Sequence, residues 1–287
     1  MLYFMHVPKT AGTSLRMLVH NRLFPGRVRE VYDDFGYWNR PALRDRVGDG
    51  DVLYGHFCHG FHALLGDRDP RYVTVLRDPV ERVVSLYWHQ RNVPGAPFHG
   101  LINGQNLGIA DFVEARLTEE SDNHQVRMLA AHYGRVRRWR EIAGNRLYRA
   151  LTGNPTRPLW TRALLRRAKA NIRRNFLHVG RTEDMGATLD VLAELAGVGR
   201  ETLVLGRENV LRPDGYRLSP GDRRVIENAN ELDLELYEGL FGAARAYGGL
   251  SSPNSSRKLP ASAPSGSSRS RHSGRMGAAS ALSTKTR

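Results

Sequence analysis

The sequence predicts an α/β protein: a mainly parallel central sheet flanked by helices, in one domain over residues 1–250, followed by a basic tail over 251–287. Three observations predict it. Residues 2–7 (LYFMHV) are a short run with apolar residues on both faces, as in a buried parallel strand, and a turn and a helical pattern follow. Residues 71–90 repeat that order: RYVTVLR, a break at Asp78-Pro79, then VERVVSLYWHQ. Strand–turn–helix units in series argue for parallel pairing. Finally, 287 residues with 40% hydrophobic content can build one sizeable core.

The elements follow in order. After the first strand, Thr13-Ser14 offers hydroxyl N-caps to a helix carrying Leu15, Leu18, Val19 and Leu23 at helical spacing. A second strand is expected at 51–55 (DVLYG), running into GHFCHGFH, and a third at 71–77. Pro79 is well placed to open the next helix. Residues 92–108 are rich in Gly, Pro and Asn and read as a surface loop. Helices are expected at 109–117, 122–132 and 185–196, and a late strand at 176–180. A final helix is expected over 219–247, with Ile226, Leu232, Leu236, Leu240 and Phe241 as its buried stripe. The Ser-, Pro-, Gly- and Arg-rich tail has too little apolar surface to offset ordering entropy and is expected to be disordered.

Charge narrows the partners. The formal net charge is +14, and half of it falls after residue 250, where seven Lys and Arg meet no acid. Such a balance favours a nucleotide, a sulfated or carboxylated glycan, nucleic acid or a membrane surface. The single cysteine, Cys58, excludes a disulfide framework and an all-cysteine metal site. No signal-peptide pattern and no apolar run of about 18 residues is present, so a soluble, cytoplasmic protein is expected.

Two stretches carry chemistry. In PKTAGTS, residues 8–14, a strand gives way to a helix start through small and hydroxyl residues. Free backbone N–H groups and the helix dipole make such a place an anion site; Lys9 adds charge, Thr10, Thr13 and Ser14 add donors, and Gly12 allows close backbone approach. The same pattern also fits an ordinary turn with incidental hydroxyls. It does not match G-x-x-x-x-G-K-[ST], because the lysine precedes the glycine. In the second stretch, Arg77 lies at a strand's carboxyl end, where open α/β sheets bind ligands, and Ser85 lies two helical turns on. Arg77 can grip a phosphate through two parallel bonds, or pair with Asp78 or Glu81 on the surface; Ser85 can donate to the same group or fill a packed helix.

Together, PKTAGTS and LRDPVERVVSLYW resemble the two cofactor signatures of the sulfotransferases that use 3′-phosphoadenosine 5′-phosphosulfate. GHF at 55–57, DNHQVRML at 122–129, HVGRTEDM at 178–185 and DLELYEGLF at 233–241 agree with the branch of heparan sulfate and uronosyl 2-O-sulfotransferases and its bacterial relatives. The resemblance spans roughly residues 1–245 and implies the sulfotransferase fold, a P-loop-like parallel sheet between helices. It implies that Lys9 contacts the transferring sulfuryl group, that Thr10, Ala11, Gly12, Thr13 and Ser14 cradle the 5′-phosphate, and that Arg77 and Ser85 hold the 3′-phosphate. The reaction implied is in-line transfer to a hydroxyl by positioning and electrostatic stabilisation, without a metal. The acceptor expected is a carbohydrate or glycoconjugate, such as a glycan precursor or glycolipid, with a small metabolite as the other candidate, in a bacterial cytoplasmic enzyme.

An acceptor hydroxyl calls for a general base, and histidine suits near neutral pH. His56, His59 and His62 cluster in GHFCHGFH. The resemblance gives the base to the histidine of a Gly-His pair after this strand, hence His56, with His59 as the second candidate and a possible substrate contact alongside His62. Read as a zinc motif, H-x-x-H-x-x-H lacks supporting ligands other than Cys58. By resemblance Asn123 and Gln125 line the pocket, while His6 reads as a strand residue near it. Residues 135–174 carry thirteen Lys and Arg against Glu141 alone. That segment is either a solvated face or a receiver for an anionic acceptor, with Trp139 and Trp160 as stacking or packing residues. Two other classes stay open. A P-loop-type nucleotide kinase would need Mg²⁺ and a lysine after the loop glycine. A non-catalytic nucleic-acid-binding protein would bind DNA with steep salt dependence, although no specific nucleic-acid partner is expected.

Overall fold

The computed structural model describes residues 1–32, 47–48, 50–131, 161–206 and 211–242. The expectations for residues 132–160, with Trp139 and Trp160, for the end of the last helix after 242 and for the tail lie outside the described residues. The described chain runs β1 (Leu2–His6), α1 (Gly12–Leu18), β2 (Val28–Val31), β3 (Val52–Gly55), α2 (His62–Leu65), β4 (Arg71–Leu76), α3 (Pro79–Asn92), α4 (His99–Gly104), α5 (Ile109–Glu114), α6 (His124–Ala130), α7 (Thr161–Asn175), β5 (Phe176–Arg181), α8 (Met185–Ala196), α9 (Pro220–Ala229) and α10 (Glu231–Phe241). No described helix is long and apolar enough to cross a membrane.

The five strands form one parallel sheet in the order β2-β3-β1-β4-β5. β1 lies at its centre, with Phe4 opposite Tyr54 on one side and Val73 on the other. Successive side chains on a strand point to opposite faces, so each strand feeds two cores. Tyr3, Met5, Leu53 and Tyr72 face Val126 and Leu129 of α6, Leu165 of α7 and Leu232 and Leu236 of α10. Leu2, Phe4, Tyr54 and Val75 face Leu15 and Leu18 of α1 and Leu189 and Leu192 of α8. Ring pairs reinforce both faces: Tyr3 stacks on Tyr72 at 4.8 Å and Phe4 on Tyr54 at 4.7 Å. Each fully buried side chain of this size contributes about 1.5–3 kcal/mol, which is why apolar runs become central strands. A third cluster joins Val83, Val84 and Leu86 of α3 to Ile102, Phe112 and Ile226.

The topology decides where a ligand can sit. The chain leaves β1 for β2 at one edge of the sheet and leaves β4 for β5 at the other. The connections diverge between these adjacent strands, and the crevice at their carboxyl ends is the switch point of an open α/β sheet. Lys9 follows β1 and Arg77 follows β4, so both motifs open onto that crevice.

Four expectations change. β2 was not anticipated; its VREV is only half apolar because an edge strand has one buried margin. The loop at 92–108 contains α4, held by Ile102 in the third cluster. The N-cap of α1 is not a hydroxyl: the helix opens at Gly12 behind Ala11, which is left-handed and supplies no side-chain cap. The last helix is two helices. At Asn230 the side chain donates to the Ser121 and Ile226 carbonyls and accepts from the Asn123 N–H, and the axis breaks there.

That break allows a reciprocal cap. Asn123 Oδ1 accepts the N–H groups of Leu232 (2.8 Å) and Asp233 (3.1 Å) in the first turn of α10. Asp233 in turn accepts those of Gln125 (3.0 Å) and Val126 (2.7 Å) in the first turn of α6. Four orphan helix donors are satisfied by two side chains. Asn123 also holds a left-handed φ of 45°, which asparagine tolerates better than most residues. Asn123→Ala strands two buried donors and is expected to lower stability by about 2–3 kcal/mol, read as a fall in the urea midpoint. A loss below about 0.5 kcal/mol would mean that water replaces the cap.

Candidate active site

β1 ends at His6 and the chain turns sharply. Lys9 and Ala11 both adopt left-handed backbone, with φ of 71° and 61°. Strain of this kind gathers where a fixed backbone shape is needed. The Thr10 hydroxyl donates to the Val7 carbonyl at 2.8 Å and closes the turn. Thr13 is exposed and Ser14 half-buried in the first turn of α1. Gly12 has a specific neighbour: a Cβ there would lie 1.6 Å from His6 Nε2. The glycine therefore seats the His6 ring, and the Tyr54 hydroxyl donates to its carbonyl at 2.8 Å.

Arg77 follows β4, and its backbone is clamped. Its N–H donates to Gln125 Oε1, and Gln125 Nε2 donates to its carbonyl, both at 3.0 Å. The next N–H, on Asp78, donates to Glu183 at 3.1 Å, and the Tyr237 hydroxyl holds the other Glu183 oxygen at 2.7 Å. Asp78 caps α3 by accepting the Glu81 N–H at 3.0 Å. Three segments that are individually weak as motifs, around 122–129, 178–185 and 233–241, thus fix the Arg77 turn together. From it the Arg77 guanidinium donates to the Lys9 carbonyl at 3.3 Å, across 68 residues of sequence. Ser85 is half-buried two turns along α3.

Burial and charge set the protonation states. Burial pulls Lys9 down to about 8; the nearby Glu120 carboxylate opposes the shift and Arg77 adds to it. Burial lowers Arg77 as well, against the pull of Glu81 and Glu183. Glu120 is raised by burial, with Arg82 and Lys9 opposing. Arg82 is wholly buried and donates to the Glu120 carbonyl at 2.6 Å. Its Nε and Nη1 have no hydrogen-bond partner among the described residues.

His56 follows β3. A Cβ on Gly55 would lie 1.8 Å from the Val31 carbonyl oxygen, so only glycine lets β2 come close enough to accept the His56 N–H at 3.0 Å. The His56 ring then meets His6, with Nε2 and Nδ1 3.1 Å apart, and the Tyr32 ring stands edge-on at 4.8 Å. Burial, then the Lys9 charge, pushes His56 down to about 4. His6 is lowered by burial, His56 and Lys9, and His124 by burial, Arg82, Arg127 and His56. At neutral pH these imidazoles are uncharged and can accept a proton.

The crevice thus gathers Lys9, Thr10, Ala11, Gly12, Thr13, Ser14, Arg77 and His56. Three other residues expected at the site have partners of their own. His59 is buried against Tyr72 and Phe176, at the amino-terminal ends of β4 and β5, with Nε2 3.0 Å from Asn175 Oδ1. Asn123 and Gln125, both expected in the pocket lining, are respectively a helix cap and a clamp on the Arg77 backbone. His56, His59 and His62 turn to different partners, His62 to the Tyr72 hydroxyl at 2.9 Å, so they do not converge as metal ligands.

Glu120, Arg82 and His124 were not singled out from the sequence. Glu120 stands beside Glu119 in a polar run with nothing to distinguish them, yet Glu119 is exposed and pairs with Arg127. Arg82 had a faint signal, an arginine within the apolar VERVVSL pattern.

No family model matches this sequence, and no curated protein matches it. Among solved structures, the crystal structure of a sulfotransferase from Alicyclobacillus acidocaldarius is similar. The match is 17% identical, covers 84% of this chain and 95% of that one, and has a TM-score of 0.38. So loose an overlay assigns no residue a role, and each role rests on this chain's own side chains.

The histidines predict an acid transition. His56 and His178 are lowered by burial to about 4 from an ordinary value near 6.5. Because the folded pKa lies below the unfolded one, the unfolded chain binds protons first. The stability tied to the neutral rings is intact above about pH 6.5 and drains away as pH falls towards 4. Urea midpoints measured across that window are expected to fall steadily. A flat profile would mean that the rings are solvated and titrate normally.

Proposed function

We propose that this chain is a sulfotransferase, moving a sulfuryl group from 3′-phosphoadenosine 5′-phosphosulfate to a hydroxyl of a carbohydrate or other glycoconjugate acceptor. The observation that carries it is the meeting of Lys9 and Arg77, from the two segments that resemble the cofactor signatures, at the carboxyl ends of adjacent strands. The residues fit an anionic nucleotide. Lys9 and Arg77 bring positive charge into a poorly solvated crevice, where burial disfavours it, and a bound anion relieves that cost.

The phosphosulfate supplies the group to be transferred. Lys9 and the loop through Ser14 would hold its 5′ end, and Arg77 with Ser85 its 3′-phosphate. Lys9 stabilises negative charge as it grows on the leaving phosphate oxygen. His56, neutral at working pH, takes the acceptor's proton, and a bound dianion beside Lys9 raises its basicity towards the useful range. Gln125 keeps Arg77 aimed without touching the ligand.

Calorimetric titration with 3′-phosphoadenosine 5′-phosphate, alongside ATP with Mg²⁺, tests the reading. Selective, metal-independent binding of the bisphosphate is expected. Arg77→Ala should weaken it about tenfold to a hundredfold, the worth of hydrogen bonds to a charged group. Gln125→Ala should weaken it less, by loosening the Arg77 turn. Preference for ATP, or no nucleotide binding by the folded chain, would overturn the proposal.

A further inference from the structure

We propose that Glu81 is a built-in competitor for the nucleotide's 3′-phosphate: its carboxylate stands between Arg77 and Arg212 and exchanges with that phosphate on binding. This inference rests on the sulfotransferase reading above. One oxygen of Glu81, Oε2, lies 2.9 Å from Arg212 Nη1 and 3.9 Å from Arg77 Nη2. Two guanidiniums thus converge on a single carboxylate oxygen, although Glu81 and Arg212 are 131 residues apart in sequence. The Arg212 charge disfavours that of Arg77, so their approach depends on a negative group between them, and in this structure Glu81 is that group.

Arg212 reaches this point along α3. Near the end of that helix, Asn92 Nδ2 donates to the Leu211 carbonyl at 2.7 Å. Near its start, Arg212 Nη1 donates to Glu81. Those two anchor points are separated by about 16 Å of helix, which the outstretched side chains span. Glu81, Ser85, Trp88 and Asn92 follow the spacing of one helix face. Trp88 meets the Tyr216 ring edge-on at 5.1 Å. The Arg212 guanidinium lies 5.6 Å from the centroid of that same Tyr216 ring, and its Nη2 donates to the Tyr216 carbonyl at 3.5 Å. The segment 211–216 is therefore pinned along the face that carries Ser85, and it delivers a second arginine to the side of Arg77.

Three carboxylates act on Arg77: Glu81, Glu183 and Asp78. Two of them are committed. Glu183 accepts the Asp78 N–H and the Tyr237 hydroxyl, and Asp78 accepts the Glu81 N–H as the cap of α3. A capping box would turn the Glu81 carboxylate back to the Asp78 N–H, but Glu183 already takes that donor. The Glu81 carboxylate is left with guanidinium partners only, and its pair with Arg212 is exposed, the side chains being 44% and 41% accessible. Ion pairs of that kind are weak, so Glu81 turns out to water at little cost. A phosphate monoester offers each guanidinium two parallel bonds, which a single shared oxygen cannot. It also carries the same sign of charge as Glu81, so the two exclude each other from the space between the arginines. Exchange keeps both cations paired, by Glu81 in the free chain and by the ligand in the complex.

Calorimetric titration of the full chain tests this, for wild type, Glu81→Gln and Arg212→Ala, with 3′-phosphoadenosine 5′-phosphate and with adenosine 5′-phosphate, which lacks the 3′ group. Glu81→Gln removes the charge at nearly constant shape. It is expected to bind the bisphosphate about twofold to fivefold tighter than wild type, the worth of an exposed ion pair that no longer has to break, and the monophosphate equally well. Arg212→Ala should bind the bisphosphate about tenfold more weakly and the monophosphate as wild type does. An unchanged or weaker bisphosphate affinity in Glu81→Gln would overturn the inference, since Glu81 would then be a bystander or a prop for Arg77. An equal gain for both nucleotides, or wild-type bisphosphate affinity in Arg212→Ala, would overturn it too, while the proposed function would stand. No bisphosphate binding by wild type or by either variant removes the proposed function and this inference together. Should either variant not fold, Glu81→Ala or Arg212→Gln is read in the same way.

Discussion

Two parallel hydrogen bonds between the Gln125 amide and the peptide groups of Arg77 tie the helical layer to the carboxyl edge of the sheet, and the site depends on them. A strand end is an awkward place to hold a charged side chain, because the backbone has just lost its ladder partners. Here a side-chain amide takes the part of a neighbouring strand. Gln125 can do so because α6 is itself anchored at its first turn by Asp233, a buried carboxylate whose charge is offset by Arg82 and two backbone donors. The chain of support runs from α10 through α6 to Arg77 and, by the guanidinium, to the Lys9 loop. Losing any link frees a buried donor or acceptor, which costs more than the mean value of a hydrogen bond.

Electrostatics works against the folded state at the same place. Three basic residues lie where solvent is scarce, and burial disfavours their charge more than Glu120, Glu81, Glu183 and Asp233 favour it. Nearby histidines respond by staying neutral. A crevice in this condition is poised for an anion: binding replaces lost hydration, strengthens each donor's contact in a low-dielectric setting and raises the basicity of the imidazoles beside it. Cofactor capture and readiness to accept a proton are then consequences of one arrangement.

Much of the architecture was legible in the sequence because it is local. Apolar runs bounded by turn residues give β1, β3, β4 and β5, and Asp78-Pro79 gives the start of α3 at the observed residue. Elements whose signal is diluted were missed: β2, half exposed at the sheet edge, and α4, masked by glycine and proline around it. The 219–247 segment read as one helix because its periodicity runs through Asn230, whose side-chain bonds to Ser121 and Asn123 break it.

By itself the sequence determined the parallel α/β class and placed Lys9, Arg77 and His56 at the carboxyl ends of strands, because side-chain periodicity and turn chemistry act over a few residues. Only the tertiary structure decided what surrounds them. It set Gly12 under the His6 ring, sent His59 into the core, made a cap of Asn123 and a clamp of Gln125, and brought in Glu120, Arg82 and His124. The long-range partners of Gln125 and Asn123 lie 48 to 110 residues away. Contacts at that separation are chosen by how layers pack on the sheet, and no local pattern encodes them.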